Sequence, residues 1–266
     1  MIERRSALRR LATGFAFTEG PAWDSTGQAL VFSDIPNGIT WRFAAGQLTA
    51  DRRDNGNGNG NAFAPDGGLL TCEKTARRVT HTRDGRVTVV CDRFDGKRLN
   101  SPNDVIVTAA GVVYFTDPRF GPDADLEQPY KGVYRVTPDG DVRRIIESME
   151  KPNGLVIKRD GRLYVDDSEH AHVRCFALDA RGLPCDEGPV FATAKGLVDG
   201  MTEDDAGNLY VACDGVWVFD ERGNHLDTIA VPETPSNCIF GGADRRTLFI
   251  TAQTSVYAID LARAGS

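Results

Sequence analysis

The chain has 266 residues, 41% hydrophobic and 26% charged, the balance of a globular protein with enough chain for a large core. Its 28 Gly and 13 Pro make up about 15%, too little for a collagen-like or low-complexity chain and enough for many turns. With 31 basic against 38 acidic residues the formal charge is −7, which argues against nucleic acid or an anionic membrane as a partner, because both call for a basic face.

The N-terminal segment carries arginine pairs at Arg4-Arg5 and Arg9-Arg10. The apolar stretch that follows is about seven residues long and is closed by Glu19, too short for an export signal. It reads instead as a charged lead into a first strand. No run approaches the ~20 apolar residues that span a bilayer. Cys72, Cys91, Cys175, Cys185, Cys213 and Cys238 form no C-x-x-C pair, so buried free thiols and a cytoplasmic location are expected.

From Ala22 onward one pattern recurs: a short apolar run, a turn with Asp or Gly, then a β-rich run. It reads AWDSTGQALVFSD, AFAPDGGLLTCE, VIVTAAGVVYFTD, LVIKRDGRLYVDD, MTEDDAGNLYVAC and CIFGGADRRTLFIT. The turn residue falls at Gly27, Gly67, Gly111, Gly161, Gly207 and Arg245, with spacings of 40, 44, 50, 46 and 38. Each unit has room for four short strands rich in Val, Ile, Phe, Tyr and Thr; in the fourth they are 154–157, 163–165, 173–178 and 190–192. No window carries a capped helical period. A four-stranded repeat of this length is a propeller blade, and six of them predict an all-β, six-bladed propeller of antiparallel blades occupying 1–266 as one domain. The sixth unit has room for three strands only, so the segment 11–17 is expected to supply its outer strand and close the ring. A pair of β-sandwiches would not explain the recurring turn.

Eight residues before each turn position stand Glu19, Asn59, Asn103, Asn153, Asp199 and Asn237, every one an acid or an amide. They precede the innermost strands, so a propeller places them at one rim of its central channel. One such residue alone reads as an Asx turn. Six in one register, two of them carboxylates, read as oxygen donors for a hard divalent cation.

Other constellations are weaker. His170 and His172 alternate and fall on one strand face, but without a third ligand they read as a surface pair. No G-x-S-x-G elbow and no evident Cys-His pair is present, which disfavours serine or thiol catalysis. The N-G-N-G-N-G-N stretch at 55–61 lacks a following Lys-Ser/Thr and reads as a flexible crossover between blades. The Pro-rich loop 119–131 creates the longest spacing and is a candidate lid carrying Phe120 and Tyr130.

Six segments, in order along the chain, resemble the gluconolactonase family, which includes senescence marker protein (regucalcin) and luciferin-regenerating enzyme. They are F-T-E-G-P-A-W at 17–23, G-K-R-L-N-S-P-N-D at 96–104, Y-F-T-D-P at 114–118, P-N-G-L at 152–155, V-D-G-M at 198–201 and G-V-W-V-F-D at 215–220. The resemblance implies a six-bladed propeller with one catalytic divalent metal on its axis. It implies that Glu19, Asn153 and Asp199 hold the metal, that Asn103 completes the coordination or contacts substrate, and that Asp199 is the general base. The chain departs from the family where the animal branch has an arginine and this sequence has Ser101. It departs again at Asn59-Gly60-Asn61-Ala62 and Cys72-Glu73-Lys74, where bacterial relatives often read N-G-N-T and C-E-H. These positions are expected near the substrate, which makes Asn59, Ser101, Phe120 and Asn103 the candidate substrate contacts.

The expected activity is hydrolysis of a sugar lactone to its hydroxy acid by a monomer or weak homo-oligomer. Oxygen donors favour Ca²⁺, with Mg²⁺ or Mn²⁺ as alternatives, and the resemblance admits Zn²⁺. The competing readings are an aryl-ester or organophosphate hydrolase with the same axis, and a calcium-binding propeller without turnover.

Overall fold

The computed structural model describes residues 1–121, 123 and 125–266. Six four-stranded antiparallel sheets follow one another along the chain, with a small two-stranded sheet at Arg93–Phe94 and Lys97–Arg98. The inner strands are Thr18–Asp24, Gly58–Phe63, Val105–Val107, Pro152–Ile157, Met201–Glu203 and Pro235–Gly241. Each inner strand touches that of the next blade, and the sixth touches the first. The fold is a six-bladed β-propeller, and no helix among the described residues is long and apolar enough to cross a membrane.

The recurring turn has a backbone cause. Gly67, Gly111, Gly161 and Gly207 adopt φ of 83°, 77°, 79° and 81°, the left-handed region that a side chain disfavours. In the sixth unit Arg245 takes φ 56°, and in the first the left-handed residue is Gln28, one position after Gly27. The second strands that leave these turns, such as Ala29–Asp34 and Leu163–Asp167, are buried along their whole length. They are packed on both faces by neighbouring blades, which is why they read as nearly continuous apolar runs.

The core lies between blades. Tyr210, Val218, Phe240, Leu248 and Ile250 join blades five and six, and Leu70, Val79, Phe115 and Tyr134 join blades two and three. Each such buried side chain contributes on the order of 1.5–3 kcal/mol. The seam between blades one and two is different. Its apolar cluster is only Ala22, Val31 and Leu69 with Phe63, and buried Glu73 fills much of the rest, paired with Arg52 at 2.7 Å and Arg78 at 2.6 Å.

Ring closure uses the N-terminus, but earlier than the sequence suggests. Arg9–Thr13 pairs with Ser255–Asp260 as the outer strand of blade six. Gly14 turns the chain at φ 98°, and Phe15 is buried against Phe32 and Trp41, so residues 14–17 are not strand. The paired arginines are partly used in the fold: Arg4 meets Asp227 at 3.1 Å and Arg9 meets Asp260 at 2.8 Å.

Two further expectations are corrected. The 55–61 stretch is not a flexible crossover, because the Asn55 side chain donates to Thr40 Oγ1 and accepts the Gly58 N–H, and 58–61 already belongs to the inner strand. All six cysteines are free thiols, and five are buried, but Cys185 is exposed on the outer side of blade four.

Candidate functional site

The ring forms where the inner strands begin. The pairing slips between Glu19 and Ala22, Gly58 and Asn61, Pro152 and Leu155, and Pro235 and Asn237. These bulges re-aim side chains that a regular strand would send into the sheet face. The residue after the ring position is glycine in four blades for a steric reason. A Cβ at Gly154 would lie 2.5 Å from the Asp199 carbonyl, and one at Gly200 would collide with the Asn237 amide. The motifs E-G, N-G and D-G therefore record how closely successive inner strands approach at the axis.

Hydroxyl groups tie the blades together at the same level. Ser33 donates to the Asn59 carbonyl at 2.7 Å, Thr116 to the Asn153 carbonyl at 2.7 Å, and Ser168 to the Val198 carbonyl at 2.7 Å. One layer outward, an aspartate at the end of a second strand holds the entry loop. Asp34 accepts the N–H groups of Ala16 and Phe17, Asp117 those of Asn100 and Ser101, and Asp167 those of Glu150 and Lys151. Each pair of N–H groups lies two and three residues before a ring residue, so these carboxylates set where Glu19, Asn103 and Asn153 enter the channel.

Within the ring, Glu19, Asn153 and Asp199 come together. The Glu19 and Asp199 carboxyl groups and the Asn153 amide lie close enough to perturb one another. Burial, followed by the charge of Asp104, pushes Glu19 from 4.5 up to about 7, against hydrogen bonds from Gly20, Asn237 and Asp199. Burial, then Glu19, Asp166 and Asp104, raises Asp199 well above the usual carboxylate range. Two carboxylates this close cannot both ionise without a compensating charge. Asn153 Oδ1 is buried without a hydrogen-bond partner, while its Nδ2 donates to Ser168 Oγ at 3.0 Å. Asn59 Oδ1 is likewise unpartnered, and Asn59 Nδ2 donates to Asn103 Oδ1 at 3.0 Å. Oxygen atoms short of donors beside two crowded carboxylates are a donor set that fits a hard cation. Among the described residues no group of three His, Cys, Asp or Glu forms a metal cluster, so amide oxygens must complete any such site.

The remaining positions divide. Asn237 is in the ring but presents nitrogen rather than oxygen: its Nδ2 lies 3.2 Å from Glu19 and 3.5 Å from Asp104, and its Oδ1 accepts the Cys238 N–H. Ser101 and Phe120 line one cavity of about 340 Å³ at the mouth. Tyr130 is not over the ring; it is exposed, with the Arg144 guanidinium of an outer strand 4.9 Å from its ring centre. Pro122 and Ala124 of the candidate lid lie outside the described residues. His170 and His172 stack at 5.5 Å on blade four, with His170 exposed and 3.3 Å from Asp167.

Two axial acids escaped the sequence reading. Asp104 is buried, and its carboxyl is pushed up to about 6 by burial despite bonds from Val105, Asn237 and Leu155. Asp166 is fully buried and raised well above the usual range by burial and Asp104; it accepts the Gly154 N–H, and its Oδ1 has no partner. It occupies the repeat position of Ser33 and Thr116, so an acid replacing a hydroxyl in one unit of the repeat was the available signal.

The pattern of the SMP-30/Gluconolactonase/LRE-like region matches residues 17–254, nearly the whole propeller. The chain belongs to this family. A gluconolactonase from Zymomonas mobilis is 34% identical over 97% of this chain and 82% of its own length. A regucalcin from Oryctolagus cuniculus is 26% identical over 88% of this chain and 82% of its own length. Among solved structures, a gluconolactonase from Xanthomonas campestris superposes with a TM-score of 0.91 at 34% identity, covering 98% of this chain and 91% of that one. The segments E-G-P, S-P-N-D, P-N-G and D-G, which carry Glu19, Asn103, Asn153 and Asp199, lie inside the matched range.

Proposed function

We propose that this chain is a divalent-metal-dependent lactonase that opens a sugar lactone to its hydroxy acid. The observation that carries the reading is the convergence of Glu19, Asp199 and the unpartnered Asn153 Oδ1 at the axis. The 34% identity to gluconolactonases supports the substrate class.

Glu19, Asn153 and Asp199 would hold the cation, with Asn103 beside it. When bound it would supply Lewis-acid polarisation of the lactone carbonyl. Oxygen donors favour Ca²⁺, Mg²⁺ or Mn²⁺ over Zn²⁺. Asp199 accepts a proton from the attacking water as general base. The water oxygen bonds to the carbonyl carbon, the ring C–O bond breaks, and the proton passes to the departing alkoxide, giving a hydroxy acid. Asn103, whose Oδ1 is engaged by Asn59, offers its Nδ2 to the developing oxyanion. Ser101 and Phe120 at the mouth contact the sugar, and Asn59 fixes Asn103.

The test is lactone hydrolysis by metal-loaded Asp199→Asn and Glu19→Gln proteins, with the fold checked by circular dichroism. A loss of roughly 10²–10⁴-fold is expected for Asp199→Asn, and weakened metal dependence for Glu19→Gln. Full activity in both variants would overturn the assignment.

A further inference from the structure

The mouth cavity is basic although the protein is acidic. Lys74, Arg77, Arg98 and Arg119 line it with Ser101 and Phe120, and Asp125 is its one acid among the described residues. Asp125 pairs with both Arg77 and Arg119, and Arg98 has Glu127 at 3.9 Å. Buried Asp117 also faces Arg77 and Arg119, so four cations meet three carboxylates and one positive charge is left over. Lys74 is half-buried and its amine has no ion pair or hydrogen bond among the described residues; burial and then the like charge of Arg119 lower its pKa, against the charge of Glu19. Arg77 is 4% exposed and its Nη2 is a second buried donor without a partner. An N–H donor withdrawn from water without an acceptor is costly, and here the Arg77 Nη2 and the Lys74 amine border the cavity that Ser101 also lines.

We infer that the cavity is a subsite for an anionic substituent, a carboxylate or a phosphate, carried by the lactone away from its reacting carbonyl. This rests on the lactonase reading and specifies its substrate. The basic cavity attracts the anion and so orients the ring with its carbonyl toward Asn103. Lys74, whose amine has no ion pair among the described residues, is the specificity-determining residue.

The experiment compares kcat/KM of the metal-loaded full chain on a neutral aldonolactone, an aldarolactone bearing a free carboxylate, and an aldonolactone phosphate. At least one anionic lactone is expected to be preferred tenfold or more, chiefly through KM, and the preference should shrink with added salt. Lys74→Met should cut that ratio about tenfold, and Lys74→Arg should retain most of it. The carboxylate and phosphate arms identify which anion is used. Equal use of all three lactones, or an unchanged ratio in Lys74→Met, overturns the subsite. If no lactone is hydrolysed, the lactonase reading fails by itself. The cavity is then read by calorimetry with sorbitol, gluconate and sorbitol 6-phosphate: tighter binding of either anion, lost in Lys74→Met, upholds it, and equal binding rejects it.

Discussion

Two sets of buried carboxylates share blades, Glu19 with Asp34 and Asp104 with Asp117, and they have different surroundings. Asp34, Asp117 and Asp167 each accept two or more backbone N–H groups, although at Asp117 burial outweighs those bonds and the charges of Arg77 and Arg119 and pushes the carboxyl up to about 6. At Asp167 burial is outweighed by the N–H groups of Glu150, Lys151 and Glu169 and by His170, and its pKa falls below the usual value. Glu19 and Asp199 lie against one another, with Asp104 adding a third negative charge, and both are pushed upward. The first set is tied into the architecture; the second crowds negative charge on itself, which its raised pKa values relieve by protonation. Burial alone therefore does not mark a functional acid. The balance of donors around it does.

This contrast can be broken most decisively by neutralising one acid from each set. Asp199→Asn should cost roughly 10²–10⁴-fold in lactone hydrolysis, yet raise the thermal midpoint of the metal-free protein, because it removes an acid that the fold must keep protonated. A fall in that midpoint would show that Asp199 is met by the fold after all.

The pH dependence of the metal-free protein sharpens the comparison further. Glu19 moves from 4.5 to about 7 and Asp104 from 3.8 to about 6, so the folded state binds more protons than the unfolded one in this window. Stability should then decline as pH rises from about 4 to about 7, by a few kcal/mol at ~1.4 kcal/mol per unit. Urea unfolding with a chelator present measures it; a flat or rising profile contradicts the desolvated ring. Added cation should flatten the decline, since bound carboxylates stay ionised.

Smaller effects come from the supporting bonds. Asp117→Asn leaves the Asn100 and Ser101 N–H groups competing for one oxygen, and a loss of about 1–3 kcal/mol is expected from denaturant midpoints. Ser33→Ala removes one tie between blades one and two and should cost about 1 kcal/mol. An Asp117→Asn protein as stable as the parent would remove the distinction between the two sets.

The ring was legible because a repeat makes its own alignment: the left-handed turn residue fixes the register, and the residue eight positions earlier reaches the axis in every unit. The acid that ends the second strand was equally visible in VFSD, YFTD and YVDD, but its role was not, since its N–H partners lie 16–18 residues upstream in sequence. Tyr130 and the 55–61 stretch were misjudged for a similar reason. Loop length and glycine content say nothing of an Arg144 or a Thr40 waiting across the fold.

The sequence by itself determined the blade count, the strand and turn positions and the six residues that converge, because these follow from local backbone geometry repeated six times. Only the tertiary structure decided that Asn237 turns nitrogen to the ring, that Asp104 and Asp166 join the axis, and that Lys74 and Arg77 gather at its mouth. Hydrogen-bond direction and desolvation depend on neighbours delivered by other blades, dozens of residues away, and no local pattern encodes which neighbour arrives.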